Sequence, residues 1–247
     1  MKLALVADLH ANREAVTAVL AHAQSQGAQR HAFLGDFVGY GADPGWVVDR
    51  LRECVAQGDI AVRGNHDAAV VQGALPTMVT EARQVVEWTR AQLDAEQLAF
   101  LSGLPLSITE GDVLFVHASA HTPAAWPYIV SRGDAVRSLH ATACRYTFCG
   151  HTHIPALYHL TATGKSGDFA PTPGVTIPLS AQRRWLAIPG SAGQPRDGNP
   201  AACYAMFDSS EHAITFHRVP YDHDAAAAKM RAGGLPQRLA ERLTDGE

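Results

Sequence analysis

The 247-residue sequence has no apolar run of membrane-spanning length, and its four cysteines, Cys54, Cys144, Cys149 and Cys203, include no C-x-x-C pair. The first absence leaves no segment to cross a bilayer; the second argues against a disulfide framework or a structural zinc knuckle. The opening Met1-Lys2-Leu3-Ala4-Leu5-Val6-Ala7 is too short for a signal-peptide core and runs straight into Asp8 and His10. A reduced, cytoplasmic protein with no membrane partner is therefore expected. Excess positive charge is lacking too. With 20 Lys and Arg against 24 Asp and Glu, the formal charge is -4, which gives no general footprint for nucleic acid. An anionic substrate must then find local cations, and bound metal ions are the obvious source. Nothing in the sequence specifies an oligomeric state.

What is present suits a folded enzyme: 47% hydrophobic and 18% charged residues allow a sizeable core. Leu3 to Ala7 reads as a strand buried on both faces. Asn12 caps a helix through Ala15, Val16, Val19 and Leu20 that stops at Gly27. His31 to Leu34 is a second strand, Asp43-Pro44 caps and starts a second helix, and Asp59 to Arg63 is a third strand. Thr80 to Leu93 and Asp94 to Leu101 read as helices, and Leu106 to Thr109 with Val113 to His117 as a hairpin about Glu110-Gly111-Asp112. The later chain is β-rich, with strands at Ala156 to Leu160, Arg184 to Ile188, Ala202 to Asp208 and Ala213 to Val219. A parallel opening and an antiparallel close predict two packed sheets with helices outside. Thr163 to Pro178 reads as a long loop, so residues 1–221 form one domain, and 222–247 a surface helix with a frayed tail.

Chemistry-bearing residues recur where strands end: Asp8-Leu9-His10, Gly35-Asp36, Arg63-Gly64-Asn65-His66-Asp67, His117, and Gly150-His151-Thr152-His153. Open α/β folds build their sites at such carboxyl ends. Residues two apart on an extended segment point to the same side, so His151 and His153 can reach one site, as can Asp8 and His10. Each has a plainer reading: loop histidines for His151 and His153, a core histidine for His117, a helix N-cap for Asp67. Asp36, freed by the preceding glycine, is the best candidate to bridge two cations about 3.5–4 Å apart.

In this order the motifs D-x-H, G-D, G-N-H-D, a lone His and G-H-x-H resemble the calcineurin-like metallophosphoesterase family, over about three fifths of the chain. The resemblance implies a four-layer α-β-β-α sandwich with metals at one edge. It implies Asp8, His10, Asp36 and His153 as ligands of one ion, and Asp36, Asn65, His117 and His151 as ligands of the other. Mixed nitrogen and oxygen donors suit manganese, iron, zinc or nickel rather than calcium. A water bridging the ions is the expected nucleophile. His66 is then the catalytic group that assists the leaving oxygen, and Asp67 orients its ring and favours the imidazolium.

Tyr40, Trp126, Tyr128 and Arg196 are candidate contacts for a small phosphate-containing substrate: three rings to stack on it and one guanidinium to clamp a phosphate. Their plainer readings are core aromatics and a solvated arginine. The stretch Gly39-Tyr40-Gly41-Ala42-Asp43-Pro44 and the Ile188 to Gly198 loop resemble the small bacterial branch related to diadenosine tetraphosphatases. Gly39-Tyr40-Gly41 stands where Ser/Thr protein phosphatases carry D-R-G, and Asp67 replaces their glutamate. A phosphodiesterase or nucleotide phosphatase is therefore the first expectation. A protein phosphatase, or a non-catalytic metal-binding module on the same fold, is the alternative.

Overall fold

The computed structural model describes residues 1–74, 76 and 78–247. The chain runs β1 (Lys2–Val6), α1 (Arg13–Ser25), β2 (Arg30–Phe33), α2 (Pro44–Ala56), β3 (Ile60–Ala61), α3 (Asn65–Gln72), α4 (Thr80–Ala91), α5 (Ala95–Gly103), β4 (Ser107–Glu110) and β5 (Val113–Val116). It continues through α6 (Arg132–His140), β6 (Tyr146–Phe148), β7 (Ala156–Thr161), β8 (Ser166–Phe169), β9 (Thr176–Pro178), β10 (Arg183–Ile188), β11 (Ala202–Asp208), β12 (Ala213–Val219), α7 (His223–Ala232) and α8 (Gln237–Asp245). One sheet has the order β3-β2-β1-β11-β12-β9 and the other β4-β5-β6-β10-β7-β8. Both are mixed. β1, β2 and β3 run parallel in the first, and β5, β6 and β10 in the second, with antiparallel partners beside them.

Strand alternation builds the layers. Leu3 and Leu5 of β1 face inward with Phe115, Phe148, Trp185 and Phe207 between the sheets. Ala4 and Val6 face outward against Val16, Val19, Val48 and Leu51 of α1 and α2. On the far side Leu114, Val116 and Leu186 meet Leu139 of α6. The result is the expected four-layer α-β-β-α sandwich. The parallel strands of both sheets end at the same rim, and every motif residue leaves from that rim.

Three local readings are corrected, and one unassigned segment becomes a helix. Thr163 to Pro178 is not one loop: it carries β8 on the edge of one sheet and β9 on the edge of the other. Asp43 starts α2 without capping it, because its carboxylate binds Lys229 Nζ at 2.8 Å. The segment Arg132–His140, unassigned from its pattern, is α6, capped by Ser131. Residues 222–247 do not fray. They form α7 and α8, which bury Ala227, Met230, Leu239, Ala240 and Leu243 together with Val85 of α4. Among the described residues no helix is long and apolar enough to cross a membrane.

Candidate metal centre

Backbone pairing brings the first motifs together. Asp8 N donates to Gly35 O at 3.1 Å and His10 N to Asp36 O at 2.9 Å. This zips the chain leaving β1 to the chain leaving β2. Gly150 N donates to His117 O at 2.7 Å, which does the same for β5 and β6. Asp8, His10, Asp36, His151 and His153 all have positive φ, between 46° and 70°. Such backbone costs about 1–3 kcal/mol per non-glycine residue and gathers at functional sites. Glycine is required at Gly64, where a Cβ would overlap the Asp36 amide nitrogen and carboxylate.

The seven expected ligands fall into two donor groups. Asp8, His10, Asp36 and His153 form one, and Asp36, His117 and His151 the other, with donor atoms within 4.8 Å of one another in each. Asn65, on the first turn of α3, joins the second group with its Oδ1 3.0 Å from His117 Nε2. Asp36 belongs to both. All but Asn65 are buried.

Three histidines commit their Nδ1–H to main-chain carbonyls, His117 to Leu34 at 2.7 Å, His153 to Gln194 at 2.6 Å, and His10, more loosely, to Val38 at 3.4 Å. That fixes the tautomer and turns each Nε2 lone pair inward. His10 Nε2 and His153 Nε2 then face each other at 3.1 Å, with Asp8 Oδ1 3.6 Å from the latter. His117 Nε2 faces His151 Nδ1 at 3.2 Å and Asp36 Oδ2 at 3.4 Å. Lone pairs so converged repel one another, and cations are what such a donor set fits. Protons compete with cations for the same atoms. Burial pushes Asp8 up to about 7, with Asp36 adding to the rise. Burial pulls His117 down, but the Asp36 and Asp8 carboxylates outweigh it and raise His117 to about 9. Burial, then His117, lowers His151 to about 4.

Asp67 is the main correction at the site. It does not touch the His66 ring. Its Oδ2 accepts from Asp36 N at 3.0 Å and Gly64 N at 2.8 Å, and its Oδ1 from Phe37 N at 2.8 Å and Val38 N at 3.3 Å. Nor is it the N-cap, since it lies in the first turn of α3, three residues past Gly64. Burial and Asp36 push this carboxyl up to about 7, against the backbone donors. Only the ionised form matches all four N–H groups, so we assign a carboxylate. Asp67 thus fixes the loop that presents Asp36. His66, without that partner, is drawn toward the neutral form, by burial first and then by His117 and Arg196, against Asp36.

The expected substrate contacts line both flanks. Tyr40 packs 4.5 Å from the rings of both His10 and His66, with the Arg196 guanidinium 5.9 Å over its face. On the other flank Tyr128, 52% exposed, stacks on His151 at 3.9 Å, and Trp126 lies 5.7 Å from His117. Two supporting residues, Ser191 and Gln194, lack a recognisable role in the sequence, and Asn12 has a contact beyond the cap read for it. Asn12 caps α1 and also donates to Gly193 O at 2.8 Å, Ser191 Oγ donates to Asp8 O at 2.8 Å, and Gln194 O holds His153. The small residues of the 188–198 loop are the one signal that backbone comes close there.

A profile of the calcineurin-like phosphoesterase superfamily domain matches residues 1–212. An uncharacterized protein of Methanocaldococcus jannaschii is 34% identical over 254 residues, covering 98% of this chain and 96% of its own length. The crystal structure of a metallophosphoesterase from Sphaerobacter thermophilus is 36% identical, covers 100% of this chain and 99% of its own, and superposes with a TM-score of 0.88. A hypothetical protein from Pyrococcus horikoshii shares the fold at 17% identity, with a TM-score of 0.78 over 100% of this chain and 98% of its own.

Proposed function

The chain belongs to the calcineurin-like phosphoesterase superfamily, and from that premise we propose a two-cation phosphoesterase acting on a small phosphodiester or nucleotide-type substrate. The observation that carries this reading is Asp36, one carboxylate common to two groups of inward-turned donors. Asp8, His10, Asp36 and His153 would hold one divalent ion, and Asp36, Asn65, His117 and His151 the other, with manganese, iron, zinc or nickel suiting the mixed donors. When bound, the ions supply Lewis acidity toward the phosphoryl oxygens and an activated water.

The remaining work falls to the chain's own residues. Asp67, through the backbone of residues 36–38, holds the shared carboxylate still. His66 follows the Asn65 ligand on the same helical turn, and its backbone N–H is anchored to Asp36 Oδ1 at 2.9 Å. Its ring, centred 5.0 Å from that of His10, would flank the place where a leaving oxygen departs. There it donates a hydrogen bond or a proton as the water oxygen bonds to phosphorus and the old P–O bond breaks. The products are an alcohol and a shortened phosphate, with no covalent enzyme intermediate. Tyr40, Trp126, Tyr128 and Arg196 shape the cleft walls. Four buried, free thiols support a reducing, cytoplasmic setting.

The test is hydrolysis of an aryl phosphodiester and an aryl phosphomonoester by metal-stripped protein given manganese, with Asp36→Asn as the blank. Metal-dependent diester cleavage absent from the variant supports the proposal. Cleavage of neither ester refutes it for simple esters.

A further inference from the structure

Building on the phosphoesterase reading above, we infer that Tyr40, Gln194 and Arg196 form a subsite for negative charge on the leaving group. The preferred substrate is then a phosphoester or phosphoanhydride whose departing arm is itself anionic, carrying a phosphate or a carboxylate.

The first observation is an excess of donors. Gln194 is only 1% exposed, yet its side-chain Nε2 has no partner among the described residues, and neither has Arg196 Nε. Arg196 Nη2 donates to Gln194 Oε1 at 3.1 Å. That contact consumes the one side-chain acceptor the pair owns and leaves Gln194 Nε2 and Arg196 Nε without one. Buried donors are rarely left unpaired unless a ligand or water completes them.

The second is the missing counterion. Asp197, next in sequence, binds Arg218 instead, and Arg196 makes no ion pair among the described residues. The nearby carboxylates, Asp8 and Asp36, belong to the donor groups that hold cations. The guanidinium charge is left to a ligand, and its planar fork suits phosphate or carboxylate oxygens in two-pronged fashion.

The third is position. Arg196 lies over Tyr40, and Tyr40 touches His66, the group placed to serve the leaving oxygen. Tyr128 and Trp126 stand instead by His151 and His117. The charge therefore sits on the leaving-group flank and the exposed aromatic shelf on the other. The subsite is also preorganised. Gly193 N donates to Asp8 O at 2.9 Å, Gln194 N to Ser191 Oγ at 2.8 Å, and Asn12 to Gly193 O, so the loop is pinned to the end of β1. A pinned loop loses little freedom when a ligand docks.

The test uses two methyl aryl phosphodiesters whose leaving groups, 3-(carboxymethyl)phenol and 3-(carbamoylmethyl)phenol, differ in charge but little in phenol acidity. With manganese-loaded enzyme the anionic ester should show kcat/KM about tenfold or more above its amide. Arg196→Met should abolish that preference, Arg196→Lys should keep part of it, and Gln194→Leu should weaken it. Binding of the two free phenols to metal-stripped protein, followed by calorimetry, gives a readout independent of turnover: the carboxylate should bind more tightly, and Arg196→Met should remove the difference. Equal cleavage of both esters, or a preference unmoved in Arg196→Met, would overturn the subsite while leaving the phosphoesterase reading intact. Cleavage of neither ester, with equal binding of the two phenols, would overturn both.

Discussion

Asp67→Asn separates two accounts of one residue. If Asp67 oriented His66, the amide would slow turnover and barely change stability. The structure instead gives its oxygens four backbone N–H groups, from Asp36, Phe37, Val38 and Gly64. An asparagine keeps one acceptor oxygen and sets an NH2 against two of those donors. A hydrogen bond to a charged group contributes about 1.5–3 kcal/mol, and a buried donor left unpaired costs about 1–3 kcal/mol. Losing two bonds, with partial relaxation of the loop, puts the expected destabilisation at roughly 3–5 kcal/mol, a large share of the about 5–15 kcal/mol that holds a typical domain folded. Urea unfolding of the metal-stripped protein measures it directly. Manganese affinity should fall alongside, because the loop that presents Asp36 loosens. A variant within about 1 kcal/mol of wild type in stability, with undiminished metal affinity but a depressed kcat, would refute the loop-fixing role and restore the orienting one.

Gly64→Ala should fold but bind manganese at least about tenfold more weakly, since the new Cβ displaces Asp36; disturbing the groups that orient a metal's ligands commonly costs that much. Unchanged affinity by titration would contradict the packing. Leu243→Ala, in a tail expected to fray, should cost about 2–5 kcal/mol because the side chain is 3% exposed; a loss below about 0.5 kcal/mol, the usual size for a surface change, would mean α8 is not docked. Burial alone would raise Asp59, but hydrogen bonds from the His31 ring and backbone N–H hold it below 3.8. A lowered carboxyl contributes stability above its unfolded pKa and loses it as pH falls through the folded value. The stability gap between wild type and Asp59→Asn should therefore be full at pH 6 and close progressively below pH 3.8; a gap independent of pH would refute it.

Much of the fold and site is legible because strand ends announce themselves. Leu3 to Ala7 and Val113 to Val116 are short apolar runs, and the polar residues directly after them, Asp8-Leu9-His10 and His117, have little reason to be there except chemistry. The layers come from the alternation those runs permit. Asp67 reads wrongly because three of its four partners lie about thirty residues earlier in the chain, in the turn after β2, and no local pattern encodes such a contact. The same holds for Gln194, whose carbonyl sets His153 from forty-one residues away. β8 and β9 escape the pattern because short, largely exposed edge strands carry little hydrophobic periodicity. The C-terminal helices look dispensable because alanine is neutral in sequence, yet Ala226 and Ala227 are what let α7 pack closely.

The central claim is that Asp36 joins two cation sites, and equilibrium dialysis against manganese with metal analysis tests it most directly. Wild type should bind two ions per chain and Asp36→Asn no more than one, with folding confirmed by circular dichroism. A single ion per chain in wild type, or two retained in the folded variant, would contradict it.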